Sequence, residues 1–156
     1  TILGKLIRRF TKSPVSHVFV EYSSKRYGCD LAAEASLPGV RIQPSRKSRH
    51  HVVREVECLF DTAGGFKALA PHLGEWYDVK SLLLFGWTIA AWRLLRYKVR
   101  KPWSSAGGQM CSEAVTVFLK GSDLSIEKLS TRDPERTSPN DLLQLMEENP
   151  GLFKTV

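Results

Sequence analysis

The sequence predicts an α+β domain, with a short helix first, then a run of strands, then helices. Three observations carry this. Residues 15–22 hold Val15, Val18, Phe19, Val20 and Tyr22, a strand-forming composition. The same character returns at 31–35 and 40–43, on either side of the turn Leu37-Pro38-Gly39. From residue 62 onward the apolar residues fall at helical spacing.

In chain order, Ile2, Leu3, Leu6, Ile7 and Phe10 share one face of a short helix that Ser13-Pro14 breaks. The strand 15–22 follows and ends at Ser23-Ser24. After the strands 31–35 and 40–43, the segment 51–60 (HVVREVECLF) is a further strand, favoured by Val52, Val53 and Val56. Residues 62–73 form a helix on Phe66, Leu69, Ala70 and Leu73 despite Gly64 and Gly65. Residues 81–95 carry Arg93 as their one charge, and about 15 residues fall short of the roughly 20 that span a bilayer. That segment is either a buried helix or one lying on a membrane surface, with Trp87, Trp92 and the basic run Arg93, Arg96, Lys98, Arg100 and Lys101 at the headgroups. Residues 102–108 read as a loop. A helix over 111–120 then presents Cys111, Ala114, Val115 and Phe118 on one face, and Gly121 stops it. Ser138 caps a last helix, with Pro139 in its first turn and Asp141 at the positive end of its dipole; Asn149-Pro150-Gly151 ends it.

A chain of 156 residues is long enough for one domain, 1–156, with a core of its own. Its 42% apolar and 25% charged content is that of an ordinary globular protein. The net charge of +7 is uneven: residues 1–100 hold 17 basic and 8 acidic groups, and 101–156 hold 6 and 8. Arg46, Lys47 and Arg49 make the one dense basic run of the first half, a pattern of solvated loops. No nucleic-acid-binding motif accompanies the charge, so no nucleic-acid partner is expected. Three cysteines, an odd count, and the lack of a secretory pattern at residues 2–10 suit reduced thiols and a cytoplasmic setting. With no CxxC pair, no HxxxH and scattered histidines, neither a metal nor another cofactor is expected.

Cys111 opens a helix behind Gly107-Gly108, where unpaired amides and the helix dipole favour a thiolate. The same amides can receive the oxyanion of a tetrahedral intermediate, with Gln109 and Ser112 as the neighbouring oxyanion or binding candidates. Cys29, beside a turn, and Cys58, at a strand end, read as small buried apolar residues. A thiolate nucleophile needs a proton carrier, and His17 sits on the strand 15–22 sharing a face with Phe19 and Glu21. His50, His51 and His72 compete from loops and helix ends. A third polar group must hold the imidazole, and two carboxylates qualify. Glu34 is a charge inside the apolar run Ala32-Ala33-Glu34-Ala35, costly there unless partnered. Glu21 shares the His17 face but lies about 13 Å along the strand, so Glu34 on an adjacent strand fits better.

Several short motifs are also familiar as a set. Gly4-Lys5-Leu6-Ile7, Thr11 to Val18 (TKSPVSHV), Ala33-Glu34-Ala35 with Gly39-Val40, Leu73-Gly74 with Tyr77-Asp78, Cys111-Ser112-Glu113-Ala114-Val115 and Ser138-Pro139-Asn140-Asp141-Leu142 stand in this order. Together they resemble the circularly permuted NlpC/P60 proteins, papain-like proteins of the YiiX and lecithin:retinol-acyltransferase-like kind. The resemblance implies a permuted papain-like fold, an antiparallel sheet packed against helices, with the histidine strand first and the cysteine helix last. It places the nucleophile on Cys111, the base on His17 and the third polar residue on Glu34. Many relatives carry aromatic residues before the cysteine where Gly108-Gln109-Met110 stands here.

The resemblance implies a cysteine hydrolase that cleaves an amide, such as a peptide or cell-wall-like peptide, through a thioester acyl-enzyme. A lipid acyltransferase or hydrolase at a membrane surface, touching it weakly through 81–101, is the alternative within that chemistry. A module that binds an acyl or peptidyl ligand without turnover is the non-enzymatic one. In every case the partner is a peptide or a small acyl-bearing substrate.

Overall fold

The computed structural model describes residues 14–49, 52–77, 108–109, 111–122, 129, 131, 133–134 and 137–156. In chain order these form β1 (Val20–Ser24), β2 (Cys29–Ser36), β3 (Gly39–Pro44), β4 (Val56–Cys58), α1 (Ala63–Leu69), β5 (Trp76–Tyr77), β6 (Gly108–Gln109), α2 (Cys111–Gly121), α3 (Pro139–Glu147) and β7 (Phe153–Thr155). The domain is α+β. Its main sheet runs β1-β2-β3-β5-β6, and β4 and β7 form a separate ribbon. All pairs are antiparallel except the last of the main sheet, where β5 and β6 run parallel.

The sheet is organised by the β2–β3 hairpin. Its two-residue turn, Leu37-Pro38, sets Ser36 opposite Gly39, and the register then runs Glu34↔Arg41 and Ala32↔Gln43. Because strand side chains alternate, the hairpin has two different faces. Ala33, Ala35 and Val40 look to one side and pack with Leu69 of α1 and Ala114 of α2. Ala32, Glu34, Ser36, Arg41 and Gln43 look to the other.

α2 is buried along most of its length, by Cys111, Ser112, Ala114, Val115, Thr116, Phe118 and Leu119. Ala114 meets the sheet, while Val115, Phe118 and Leu119 join Leu142 and Leu145 of α3 and Phe153 of β7 in the larger core. Phe118 at 1% exposure is worth about 3–5 kcal/mol against truncation to alanine. α1 crosses α2 with backbone against backbone. A Cβ on Gly64 would strike the Gly121 carbonyl, one on Gly65 the Ser122 hydroxyl and the Phe118 carbonyl, and one on Gly121 the Ala68 methyl. Gly64 and Gly65, unfavourable in a helix by propensity, are what allow this approach. α3 opens on a capping box: Asp141 N donates to Ser138 Oγ at 3.2 Å and Ser138 N donates to Asp141 Oδ2 at 2.8 Å.

Several expectations change in detail. The strand expected at 15–22 begins only at Val20, so His17 precedes it. Extending the Val20↔Ala33 register would set Phe19 opposite Glu34 and His17 opposite Ser36; the chain instead leaves the ladder before Val20. The strand expected at 51–60 shrinks to Val56–Cys58, because its partner is the three-residue β7, which the sequence reading passed over after Asn149-Pro150-Gly151. Val52 and Val53 accordingly stay exposed. The helix expected at 62–73 is α1 plus a 3-10 turn at Ala70–His72, since Pro71 has no N–H to continue the α ladder. Gly108, assigned to a loop, lies in β6. The helix expected at 2–10, the segment 81–95 and the loop 102–107 lie outside the described residues. Among the described residues no helix is long and apolar enough to cross a membrane.

Candidate active site

Three parts of the chain converge on one imidazole. His17 enters from the segment before β1, Glu34 from the centre of β2, and Cys111 from the first turn of α2. β6 delivers Cys111: its two residues pair with Trp76 and Tyr77 at the sheet edge, and the helix starts directly after the one residue that follows. The sequence reading's three catalytic candidates are therefore brought together, although His17 arrives from an irregular segment and not from a strand.

Glu34 is 4% exposed, and its two oxygens are used differently. Oε1 accepts from Ser36 Oγ at 2.8 Å, Gln43 Nε2 at 2.7 Å, Arg41 Nη2 at 3.0 Å and Arg41 Nε at 3.3 Å. Oε2 faces His17 Nε2 at 3.3 Å. A carboxylate so supported cannot turn without breaking several bonds, which fixes the direction in which it presents Oε2. Burial alone would raise the Glu34 pKa; the hydrogen bonds with His17, Ser36 and Arg41 outweigh it and hold the group at about 2.

The imidazole feels the same competition with opposite sign. Burial disfavours the charged ring, but hydrogen bonds to Cys111 and Glu34, with their charges, outweigh it and raise His17 from 6.5 to about 10. Both partners favour the charged ring, which keeps 37% of its side chain open to solvent. Phe19 stacks against it, ring centroids 6.2 Å apart. Nε2 is engaged by Glu34, which leaves Nδ1 as the nitrogen for Cys111.

Cys111 is 5% exposed at the start of α2, where the first amides have no partner within the helix. Ser112 is buried at 2% exposure, its carbonyl accepts from Thr116 Oγ1 at 2.7 Å, and its backbone N–H belongs to that same first turn. Gln109 lies in β6 opposite Tyr77, two residues before the cysteine.

The other candidates fall elsewhere. Glu21 pairs with Arg49, whose Nε and Nη2 donate at 2.7 and 2.8 Å, and Arg49 also reaches Glu55. His72 hydrogen-bonds with Glu75 at 3.1 Å. His50 and His51 lie outside the described residues. Cys58 is half-buried against the larger core, and burial pushes its thiol pKa up. Cys29 is exposed, which corrects its reading as a buried apolar residue: it opens β2 beside the hairpin turn, where nothing covers it. Among the described residues no group of three or more His, Cys, Asp or Glu could hold a metal ion.

The sequence reading missed Ser36, Arg41 and Gln43. The turn expected at Leu37-Pro38-Gly39 is in fact the two residues 37–38, and that register is what sets Arg41 opposite Glu34 and places Ser36 and Gln43 on the same face. No protein-family model, no curated protein and no solved structure matches the chain.

Proposed function

We propose that the chain is a cysteine-dependent hydrolase of amide bonds, with Cys111 as nucleophile, His17 as proton carrier and Glu34 as the group that holds the imidazole. The observation that carries this reading is the imidazole held between a helix-opening cysteine and a buried, fully supported carboxylate. A carboxylate alone would make an ordinary ion pair. A cysteine on the other side of the ring makes an ion pair that can react.

In the reaction so proposed, the Cys111 thiolate attacks the amide carbon and the oxyanion is received by the first amides of α2, including Ser112 N–H. The imidazolium gives its proton to the departing nitrogen, the C–N bond breaks, and a thioester remains. Neutral His17 then takes a proton from water as the oxygen adds to the thioester carbon. Collapse releases the carboxylic acid and the thiolate, and the imidazolium is restored. Glu34 stays ionised throughout. A histidine segment preceding the cysteine helix in the chain, with antiparallel strands between them, supports the permuted papain-like reading of the fold.

The test uses the contrast between access and activation. Cys29 is exposed and Cys111 nearly buried, so exposure alone makes Cys29 react first with limiting iodoacetamide. Activation by His17 reverses the order, and His17→Ala restores it. Mass mapping of the modified cysteine reads the result. Faster alkylation of Cys29 or Cys58 in the folded wild type overturns the assignment.

A further inference from the structure

Arg41 does two things at once. Its Nε and Nη2 are committed to Glu34 Oε1, yet its side chain is 40% exposed. Among the described residues nothing engages the Nη1 side of the guanidinium. Glu34 lies buried beneath, and the open parts of His17 and Arg41 flank it on either side. The surface next to Arg41 is open as well. Trp76 sits opposite Gly39, and Gly39 lies two residues from Arg41 along β3, so both side chains rise from the same face. Trp76 is 74% exposed.

We infer that the free edge of Arg41 binds a carboxylate carried on the leaving-group side of the substrate, so that the released amine belongs to an amino acid or peptide with a nearby carboxylate. This rests on the proposed hydrolase reading and gives it a direction. His17 must reach the departing nitrogen, so the leaving group lies over the imidazole. Arg41 lies beyond the imidazole, on the side away from Cys111, because Glu34 separates the two. A guanidinium with an unused planar edge matches a carboxylate in shape and charge. Its attachment to Glu34 fixes its direction, and an immobilised donor loses less entropy on binding than a free surface arginine would.

The reagents N-chloroacetylglycine and N-chloroacetylglycinamide test this without knowledge of the natural substrate. Each alkylates a thiolate, forming C–S as C–Cl breaks and chloride leaves, and they differ in a carboxylate against a neutral amide. Rates at Cys111 are divided by those of the same reagent with glutathione, which removes intrinsic reactivity. The wild type is expected to favour the carboxylate reagent by ~10-fold, in line with a charge-assisted bond at a partly exposed site. Arg41→Gln brings that ratio to about 1, and Arg41→Lys, which keeps charge but not the fork, leaves it between the two.

Loss of support for Glu34 in these variants slows both reagents together, so the ratio isolates recognition from positioning. A wild-type ratio near 1, or the wild-type preference surviving in folded Arg41→Gln, overturns the inference while leaving the hydrolase reading standing. If Cys111 reacts with neither reagent faster than Cys29 and Cys58 do, the nucleophile assignment itself fails and this inference falls with it.

Discussion

Glu21 on β1 and Glu34 on β2 are both carboxylates held by an arginine, and they sit in different surroundings. Glu21 has the better arginine geometry, with both of its oxygens engaged by Arg49 at 2.7 and 2.8 Å. Glu34 takes both Arg41 contacts on one oxygen at 3.0 and 3.3 Å. What separates them is burial and the company each keeps. Glu21 is 23% exposed and its arginine 43%, so water competes for every bond. Glu34 is 4% exposed, and Ser36 and Gln43 complete the shell around the oxygen that Arg41 touches. That saturation leaves one oxygen for His17. The better arginine geometry thus belongs to the exposed carboxylate, and the buried one is distinguished by having one oxygen satisfied and the other turned to His17.

The comparison breaks most sharply at the imidazole. His17→Ala should lower turnover of any amide substrate by ~10³-fold or more, since it removes both the partner of the thiolate and the proton donor to the leaving nitrogen. Steady-state rates on a folded variant measure it, and a loss below tenfold would detach His17 from the chemistry. Glu34→Gln should cost ~10–100-fold in kcat, because it removes the charge that holds the imidazolium while keeping the shape. Glu21→Gln should leave kcat within about twofold.

Stability should part the two carboxylates in the same way. Glu34→Ala leaves Arg41 and His17 without their shared anion and should cost about 3 kcal/mol in urea unfolding. Glu21→Ala removes a surface pair and should cost under about 1 kcal/mol. Equal costs would mean that burial is not what distinguishes them.

The pH dependence is subtler and carries a definite sign. Glu34, held at about 2 when folded, adds stability above its usual 4.5, and that contribution is lost as pH falls through 2. His17, raised to about 10, adds stability that is complete below 6.5 and is lost as pH rises through 10. The cluster should therefore stabilise the fold most between about pH 4.5 and 6.5. Glu34→Gln should flatten the acid side of a Tm-against-pH curve and draw the alkaline limb of kcat/KM downward from about 10. An unchanged alkaline limb would mean that Cys111 alone holds the imidazolium.

Local chemistry made much of this legible in the sequence. Ser138, Pro139 and Asp141 announce the start of α3, because caps are set by neighbours in the chain; Gly121, expected to stop α2 from outside, is its last residue and lies against Gly64 and Ala68. The turn expected at Leu37-Pro38-Gly39 likewise locates the β2–β3 hairpin, although Gly39 proves to be the first residue of β3. Elements whose limits depend on distant partners were harder to read. Val52 and Val53 have the composition of a strand, yet β4 extends only as far as Phe153 to Thr155 can pair with it. Val15 to Phe19 likewise look like strand, but the chain leaves the sheet there and His17 meets Glu34 from outside the ladder. Cys111 and Glu34 were visible because each breaks a local pattern. Ser36, Arg41 and Gln43 break none, and only the register gathers them.

The glycine crossing of α1 and α2 gives the cysteine helix the character of a lever. Its pivot is at the far end, where Gly121 lies against Gly64 and Ala68, and the Cys111 sulfur rides at the tip. Ten steps of helix separate the two ends, about 15 Å at 1.5 Å per residue. A wedge at the pivot, such as the methyl of Gly64→Ala or Gly65→Ala, should press on α2 and shift the tip where Cys111 meets His17. The chain would then hold a cysteine, a histidine and a glutamate in intact surroundings that no longer line up. The alignment of the three groups can thus be upset from a distance, by the smallest possible side chain, without any change to the groups themselves.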